Sequence, residues 1–359
     1  MKIKLLILQE FIPNYRLPIF RDLALKYELT IGCPNYYNFD NELFKTKKIR
    51  SFQIKNLYAP DYSLIKFCKL FDVVIIMPDL HFLNYCFLPF MLVKQKVISW
   101  SIGFRASYKL KYNQFRKKTF LDFALLLILK KCDANIFYYD MPKLFWGKLL
   151  NENKIFTATN TVEVSTTSKL MNTNFQNKKS IIFLGSLING KGILEFIYLF
   201  NKILTDIKNF DVKLIIIGDG PLKKSILNYI NKNNLKENIF VKGAIYDEDV
   251  LASYFYNSLC MITPKQAGLS VLKSMGYGVP VVTSYDSITG GERFNIKEDN
   301  GFLYHDEKEL ENIITQCFFN PSIFLQKGIN AKSYYQSNTS IKQMTKGFEE
   351  AINFVLALD

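Results

Sequence analysis

Histidine is nearly absent from this chain: its 359 residues include only His81 and His305. With two imidazoles far apart in sequence, a histidine-based zinc site or a Ser-His-Asp triad is hard to assemble. The six cysteines (Cys33, Cys68, Cys86, Cys132, Cys260, Cys317) form no CxxC pair, and none has a histidine at metal-ligand spacing. They read as buried, reduced thiols of a cytoplasmic protein. Long apolar runs are missing too: the longest, Phe120 to Leu129, is interrupted by Asp122 and falls short of a membrane span. The opening MKIKLLILQEF turns polar too soon for a signal peptide and reads as a first strand.

Negative charge is scarce in one half only. Residues 1–170 hold 26 Lys and Arg against 13 Asp and Glu, and the remainder holds 20 against 19. A basic half beside a neutral half points to an anionic partner for the first half, with nucleic acid and an anionic membrane face as the two candidates. Ordinary lysine-rich solubility is the plain alternative. No nucleic-acid-binding motif accompanies the charge. The cations Lys109, Lys111, Arg116, Lys117 and Lys118 crowd together with Tyr108, Tyr112, Phe115 and Phe120 ahead of an apolar stretch. Such a segment suits a membrane surface, or equally a solvated loop leading into a core helix.

Apolar residues make up 49% of the chain, enough for two cores. Short continuous apolar runs alternate with helical stretches. In the first half they are Lys4–Leu8, Leu29–Cys33, Val73–Met77, Val97–Ser101 and Asn135–Tyr139; in the second, Ile181–Gly185, Lys213–Gly218, Ile239–Lys242, Leu259–Thr263 and Pro280–Thr283. Continuous apolar strands separated by helices indicate parallel sheets covered on both faces. Two series predict two doubly wound α/β domains. The polar stretch 165–179 predicts their boundary, giving domains 1–168 and 169–335. Ile341, Met344, Phe348, Ile352 and Val355 have helical spacing, so 336–359 is expected to end in a helix returning toward the first domain.

Three segments carry chemistry. In the first, a strand ends at Gly185, and Lys191-Gly192 opens the next helix, aiming backbone N–H groups, a helix dipole and a lysine at one point that favours phosphate. In the second, Gly218-Asp219-Gly220-Pro221 follows a strand, with Asp219 also readable as a plain turn cap. The third runs from Pro264 through Lys265, Gln266, Gly268, Leu269 and Ser270 into a short helix carrying Lys273 and Met275, closed by Gly278-Val-Pro-Val-Val282. The N–H groups around Gly268, Leu269 and Ser270 face the end of the sheet. In order and spacing, these segments resemble the donor domain of family 4 glycosyltransferases (group 1, GT-B type), best over 180–305.

The resemblance implies two Rossmann-like domains facing across a cleft. It further implies a nucleotide-diphosphate sugar as donor substrate, with no cofactor and no required metal, and retention of anomeric configuration during transfer to a glycan or lipid-linked saccharide. Cell-surface polysaccharide synthesis (capsule or lipopolysaccharide) is the implied setting, in the cytoplasm or on the inner membrane face. Lys191, Lys265 and Lys273 become the expected catalytic cations. Gly185, Ser186, Gly218, Asp219, Gln266, Gly268, Leu269, Ser270 and Glu292 become the donor contacts. Glu292 reads alternatively as a surface-turn carboxylate. Asn14, Tyr15 and Arg16, in a loop resembling the family's acceptor side, and Arg105 become acceptor contacts; Arg16 can grip a phosphate bidentately. Two departures stand out. Ser186 occupies a place usually held by Arg, and Lys265 and Lys273 stand where the family has its paired glutamates. The second reading is therefore a non-catalytic protein that holds a nucleotide or glycan.

Overall fold

Strands form where branched and long apolar side chains run without a polar break. β1 (Lys4–Leu8), β2 (Glu28–Cys33), β6 (Val73–Ile76), β7 (Lys96–Ser101) and β8 (Ala134–Phe137) are buried over most of their length in a computed structural model of the protein. The edge strands β3 (Lys45–Lys48) and β9 (Ile155–Thr157) complete a seven-stranded, all-parallel sheet in the order β3-β2-β1-β6-β7-β8-β9. A small antiparallel hairpin, β4 (Phe52–Ile54) with β5 (Leu57–Ala59), lies outside it. The structure describes residues 2–35, 42–50, 52–55, 57–59, 62–105, 116–165, 180–207 and 213–358. Lys109 and Lys111, and the boundary read at 165–179 beyond its first residue, lie outside them.

The second sheet is again all parallel, in the order β12-β11-β10-β13-β15-β17. Its strands are β10 (Ser180–Leu184), β11 (Lys213–Ile217), β12 (Ile239–Gly243), β13 (Ser258–Thr263), β15 (Val281–Ser284) and β17 (Gly301–Tyr304). Two-residue strands β14 (Gln266–Ala267) and β16 (Ile288–Thr289) pair in parallel and join the loops that leave β13 and β15. The core gathers Phe183, Leu214, Ile216 and Ile262 from the strands with Phe196, Phe200 and Ile203 of helix Ile193–Asp206. Each such buried side chain contributes about 2 kcal/mol.

The chain divides into two units, one of Met1–Thr161 with Ser340–Asp359, the other of Val162–Thr339. The last helix, Ile341–Leu356, thus belongs to the first unit and buries Met344, Phe348, Ile352 and Val355. Phe348 meets the Trp100 ring edge-on at 4.9 Å between centroids. Gly347 permits this docking, since a Cβ there would stand 2.2 Å from Thr157 O. All six cysteines are buried and free. Among the described residues no helix is long and apolar enough to cross a membrane.

Candidate functional site

The carboxyl ends of β10, β11 and β13 meet through glycines. A Cβ at Gly218 would stand 1.9 Å from Gly185 O, and one at Gly220 would stand 2.6 Å from Leu187 O. That contact lets Leu187 N–H donate to Asp219 O at 2.9 Å and Gly185 N–H to Ile217 O at 3.0 Å. The two strand-to-helix joints therefore form one rigid backbone floor. Gly192 is required twice over. Its φ of +74° is left-handed, and a Cβ would fall 2.8 Å from Lys265 Cγ. Lys265 N–H reaches Lys191 O at 3.3 Å, tying the third loop to the first.

Lys191 ends a short turn, Asn189–Lys191, ahead of helix Ile193–Asp206. Its amine lies above the end of β10, 3.9 Å from where a Gly185 Cβ would stand. Burial pushes the Lys191 ammonium below the ordinary lysine range, and the field of Glu292 opposes the shift. Among the described residues this amine takes no hydrogen bond and no salt bridge. A half-buried ammonium over a glycine-lined strand end can receive an oxyanion without first giving up a partner.

The other two lysines are committed. Lys265 Nζ is ion-paired with Glu195 of helix Ile193–Asp206. Lys273 Nζ is ion-paired with Glu248, whose second oxygen accepts from Tyr277 OH at 3.0 Å. Asp219 is engaged locally: one oxygen accepts from Gly220 N–H at 2.8 Å and the other pairs with Lys223 at 2.6 Å. Its carboxylate acts as a turn cap. Glu292 is not the surface carboxylate that the turn reading held it to be; it is 5% exposed, with Thr289 Oγ1 3.2 Å from its Oε2. The β14–β16 pair brings Gln266 and Ala267 beside Ile288 and Thr289, so both loops converge near Lys191. Ser186 is exposed, and space beyond Gly268 is open, since a Cβ there would meet nothing within 4 Å. Leu269 caps and Ser270 begins helix Ser270–Gly276, whose first N–H groups have no intrahelical acceptor.

In the first unit, Asn14 is exposed, Tyr15 half-buried and Arg16 buried. Arg105 Nη1 donates to Thr119 Oγ1 at 3.3 Å. Arg116 is not a free surface cation, contrary to its reading within the basic stretch. It grips buried Asp122 bidentately at 2.7 and 2.8 Å, and Lys118 lies over the Phe145 ring. Burial raises the Asp122 carboxyl, but the Arg116 fork and the Thr119 donors more than reverse this and bring it down to about 2. His81 pairs with neighbouring Asp79 on the surface.

Known proteins share this plan. Residues 167–332, most of the second unit, match the family model described as glycosyl transferases group 1. An uncharacterized glycosyltransferase of Methanocaldococcus jannaschii is 25% identical over 91% of this chain and 91% of its own length. A poly(ribitol-phosphate) alpha-N-acetylglucosaminyltransferase of Staphylococcus aureus is 26% identical over 50% of this chain, which spans about a third (35%) of that protein. The Anabaena protein HepE, solved in complex with UDP, superposes with a TM-score of 0.72 at 14% identity, covering 98% of this chain and 100% of that one. The fold is thus of the GT-B type, with two Rossmann-like units.

Proposed function

We propose that this chain, whose second unit matches the family model described as glycosyl transferases group 1, is a retaining glycosyltransferase. It moves a sugar from a nucleotide-diphosphate sugar to a glycan or lipid-linked saccharide in cell-surface polysaccharide synthesis. The observation that carries this reading is the Lys191 amine, unpaired among the described residues over the glycine floor of Gly185, Gly218 and Gly220. Charge grows on the departing diphosphate during transfer, and a preplaced ammonium in a half-buried setting stabilises that charge more than it stabilises the bound donor. Glu292, whose field reaches Lys191, can accept from a sugar or ribose hydroxyl. No metal or cofactor is needed on this account, and the reaction is expected to proceed unchanged in EDTA.

The S. aureus relative's name specifies an N-acetylglucosaminyl transfer, and HepE binds UDP. Both support a nucleotide-sugar donor here. A screen of nucleotide sugars for transfer tests the reading: turnover by the wild type and its loss in Lys191→Ala support it. The binding-protein alternative is favoured by the paired state of Lys265 and Lys273, where the family carries glutamates. UDP binding without turnover of any donor would establish that alternative.

Attachment to the anionic inner face of the membrane belongs to the same reading. Helix Phe120–Lys131 exposes Phe120, Phe123 and Leu127 and touches helix Leu88–Met91, which exposes Phe90 and Met91; Lys117 and Lys118 precede the helix and Lys130 and Lys131 lie in its last turn. Anionic vesicles at low salt are expected to bind the protein, and Phe123→Ser with Leu127→Ser to weaken that binding about tenfold. Indifference of the wild type to such vesicles would refute this attachment.

A further inference from the structure

At the carboxyl end of the first sheet a buried cation stands without an anion among the described residues. Arg16, in the turn after β1, is 8% exposed. Its Nη1 donates to Gln9 Oε1 at 2.8 Å and its Nη2 to Tyr138 OH at 2.9 Å, with Met77 Sδ 3.5 Å from Nη1. The guanidinium lies 4.4 Å above the centre of the Trp100 ring. Every one of these partners is neutral. Among the described residues no carboxylate pairs with Arg16. Burying a guanidinium without counter-charge is costly, and neutral acceptors and a ring face offset only part of that cost.

The surroundings are short of acceptors in the same way. Arg16 Nε, Gln9 Nε2, Asn84 Nδ2 and Trp100 Nε1 are all buried and, among the described residues, without a hydrogen-bond partner. Gln9 is 1% exposed, Asn84 2% and Trp100 0%. The amide orientations are fixed, because Gln9 Oε1 is held by Arg16 and Asn84 Oδ1 accepts from Tyr85 N–H at 3.0 Å. Flipping either amide would break those bonds, so the unused atoms are donors in each case. Gln9, Met77 and Tyr138 follow β1, β6 and β8, and Trp100 lies near the end of β7. These are four adjacent strands, and the carboxyl ends of a doubly wound sheet are where such folds hold ligands.

A buried fork with a free Nε edge, at the sheet end where Gln9, Asn84 and Trp100 also carry orphaned donors among the described residues, is the complement of a planar or tetrahedral oxyanion. We infer that Arg16, Gln9, Asn84 and Trp100 form a binding pocket for an oxyanion, a phosphate ester or a carboxylate, carried by the acceptor. Only the word acceptor rests on the transferase reading; the oxyanion pocket stands on the geometry alone.

The chain has two tryptophans, which provide the test. Trp100 lies in the pocket, while Trp146 Nε1 is already bonded to Gly103 O at 2.7 Å and serves as an internal control. Inorganic phosphate, and in a parallel series glucuronate, is titrated into isotope-labelled full-length protein while the two indole N–H signals are followed. The Trp100 signal is expected to move saturably with at least one anion while Trp146 stays still, and the tighter anion identifies the class. Arg16→Gln weakens that binding about tenfold or more. Should Arg16→Gln not fold, Asn84→Leu keeps the guanidinium and is expected to weaken binding several-fold. A Trp100 signal that ignores both anions, or that responds equally in Arg16→Gln, overturns the pocket. In transfer assays, phosphate competing with the acceptor and a larger rise in acceptor KM than fall in kcat for Arg16→Gln support the acceptor assignment. Competition with the donor alone overturns it. A titrating Trp100 in a protein that turns over no donor upholds the pocket while sinking the transferase reading.

Discussion

The two units share one plan, a parallel doubly wound sheet, yet they furnish the carboxyl ends of their strands in opposite ways. The second unit brings backbone to backbone through Gly185, Gly218 and Gly220, neutralises Lys265 and Lys273 with Glu195 and Glu248, and leaves the amine of Lys191 unpaired among the described residues. The first unit brings side chains together around Arg16, fixed from several directions and buried. A lysine on a flexible stem is a point charge that follows a ligand whose charge grows, whereas a pinned guanidinium fork recognises a fixed shape. Under the proposed function, one fold builds a site for reaction in one unit and a site for recognition in the other.

The contrast between the two units is tested first by Lys191→Ala. Removing a donor aimed at developing charge typically costs about 3 kcal/mol, so turnover is expected to fall about 100-fold in steady-state kinetics, with a smaller change in donor KM. Next is Gly218→Ala, which places a methyl against Gly185 O. Overpacking against backbone at a positive φ is expected to cost roughly 2–3 kcal/mol, read as a lowered denaturant midpoint. Nothing comparable is expected of the first unit's pocket, which is built from side chains.

Asp122 tests the first unit by pH. Its folded pKa, about 2, lies below the ordinary 3.8, so its stabilisation is present above about pH 4 and is lost as pH falls through about 2. Asp122→Asn is expected to lower stability by about 2 kcal/mol at pH 7, and the gap to wild type to close on acidification. A pH-independent gap would mean that the Arg116 pair is not its source. The smallest effect is expected from Lys265→Ala. That pair is half-exposed on each side, so its loss is worth under about 1 kcal/mol in unfolding. A 100-fold loss of turnover in Lys265→Ala would instead mean that the lysine leaves Glu195 to meet the donor.

Much of this was legible in the sequence. Ten apolar runs became strands of the two sheets, because short continuous runs of Ile, Val and Leu are buried on both faces of a parallel sheet. The strands that escaped are β3, whose residues KTKK hold no apolar side chain, β9, only three residues long, and β17, which opens on glycine. The glycine joints of the site announced themselves by spacing. The pairing of Lys265 with Glu195, 70 residues away, did not, since it depends on how helix Ile193–Asp206 lies against the loop after β13. Nor did the burial of Arg16 and Glu292. A single charged letter says nothing of its surroundings until the strands on either side are in place.

On the proposed function, the Lys191 amine receives the donor diphosphate. Calorimetric titration of UDP into wild type, Lys191→Ala and Lys265→Ala tests it even while the donor sugar is unidentified. Saturable binding by the wild type is expected, weakened about tenfold or more in Lys191→Ala and little changed in Lys265→Ala. Equal UDP affinity in wild type and a folded Lys191→Ala would contradict it.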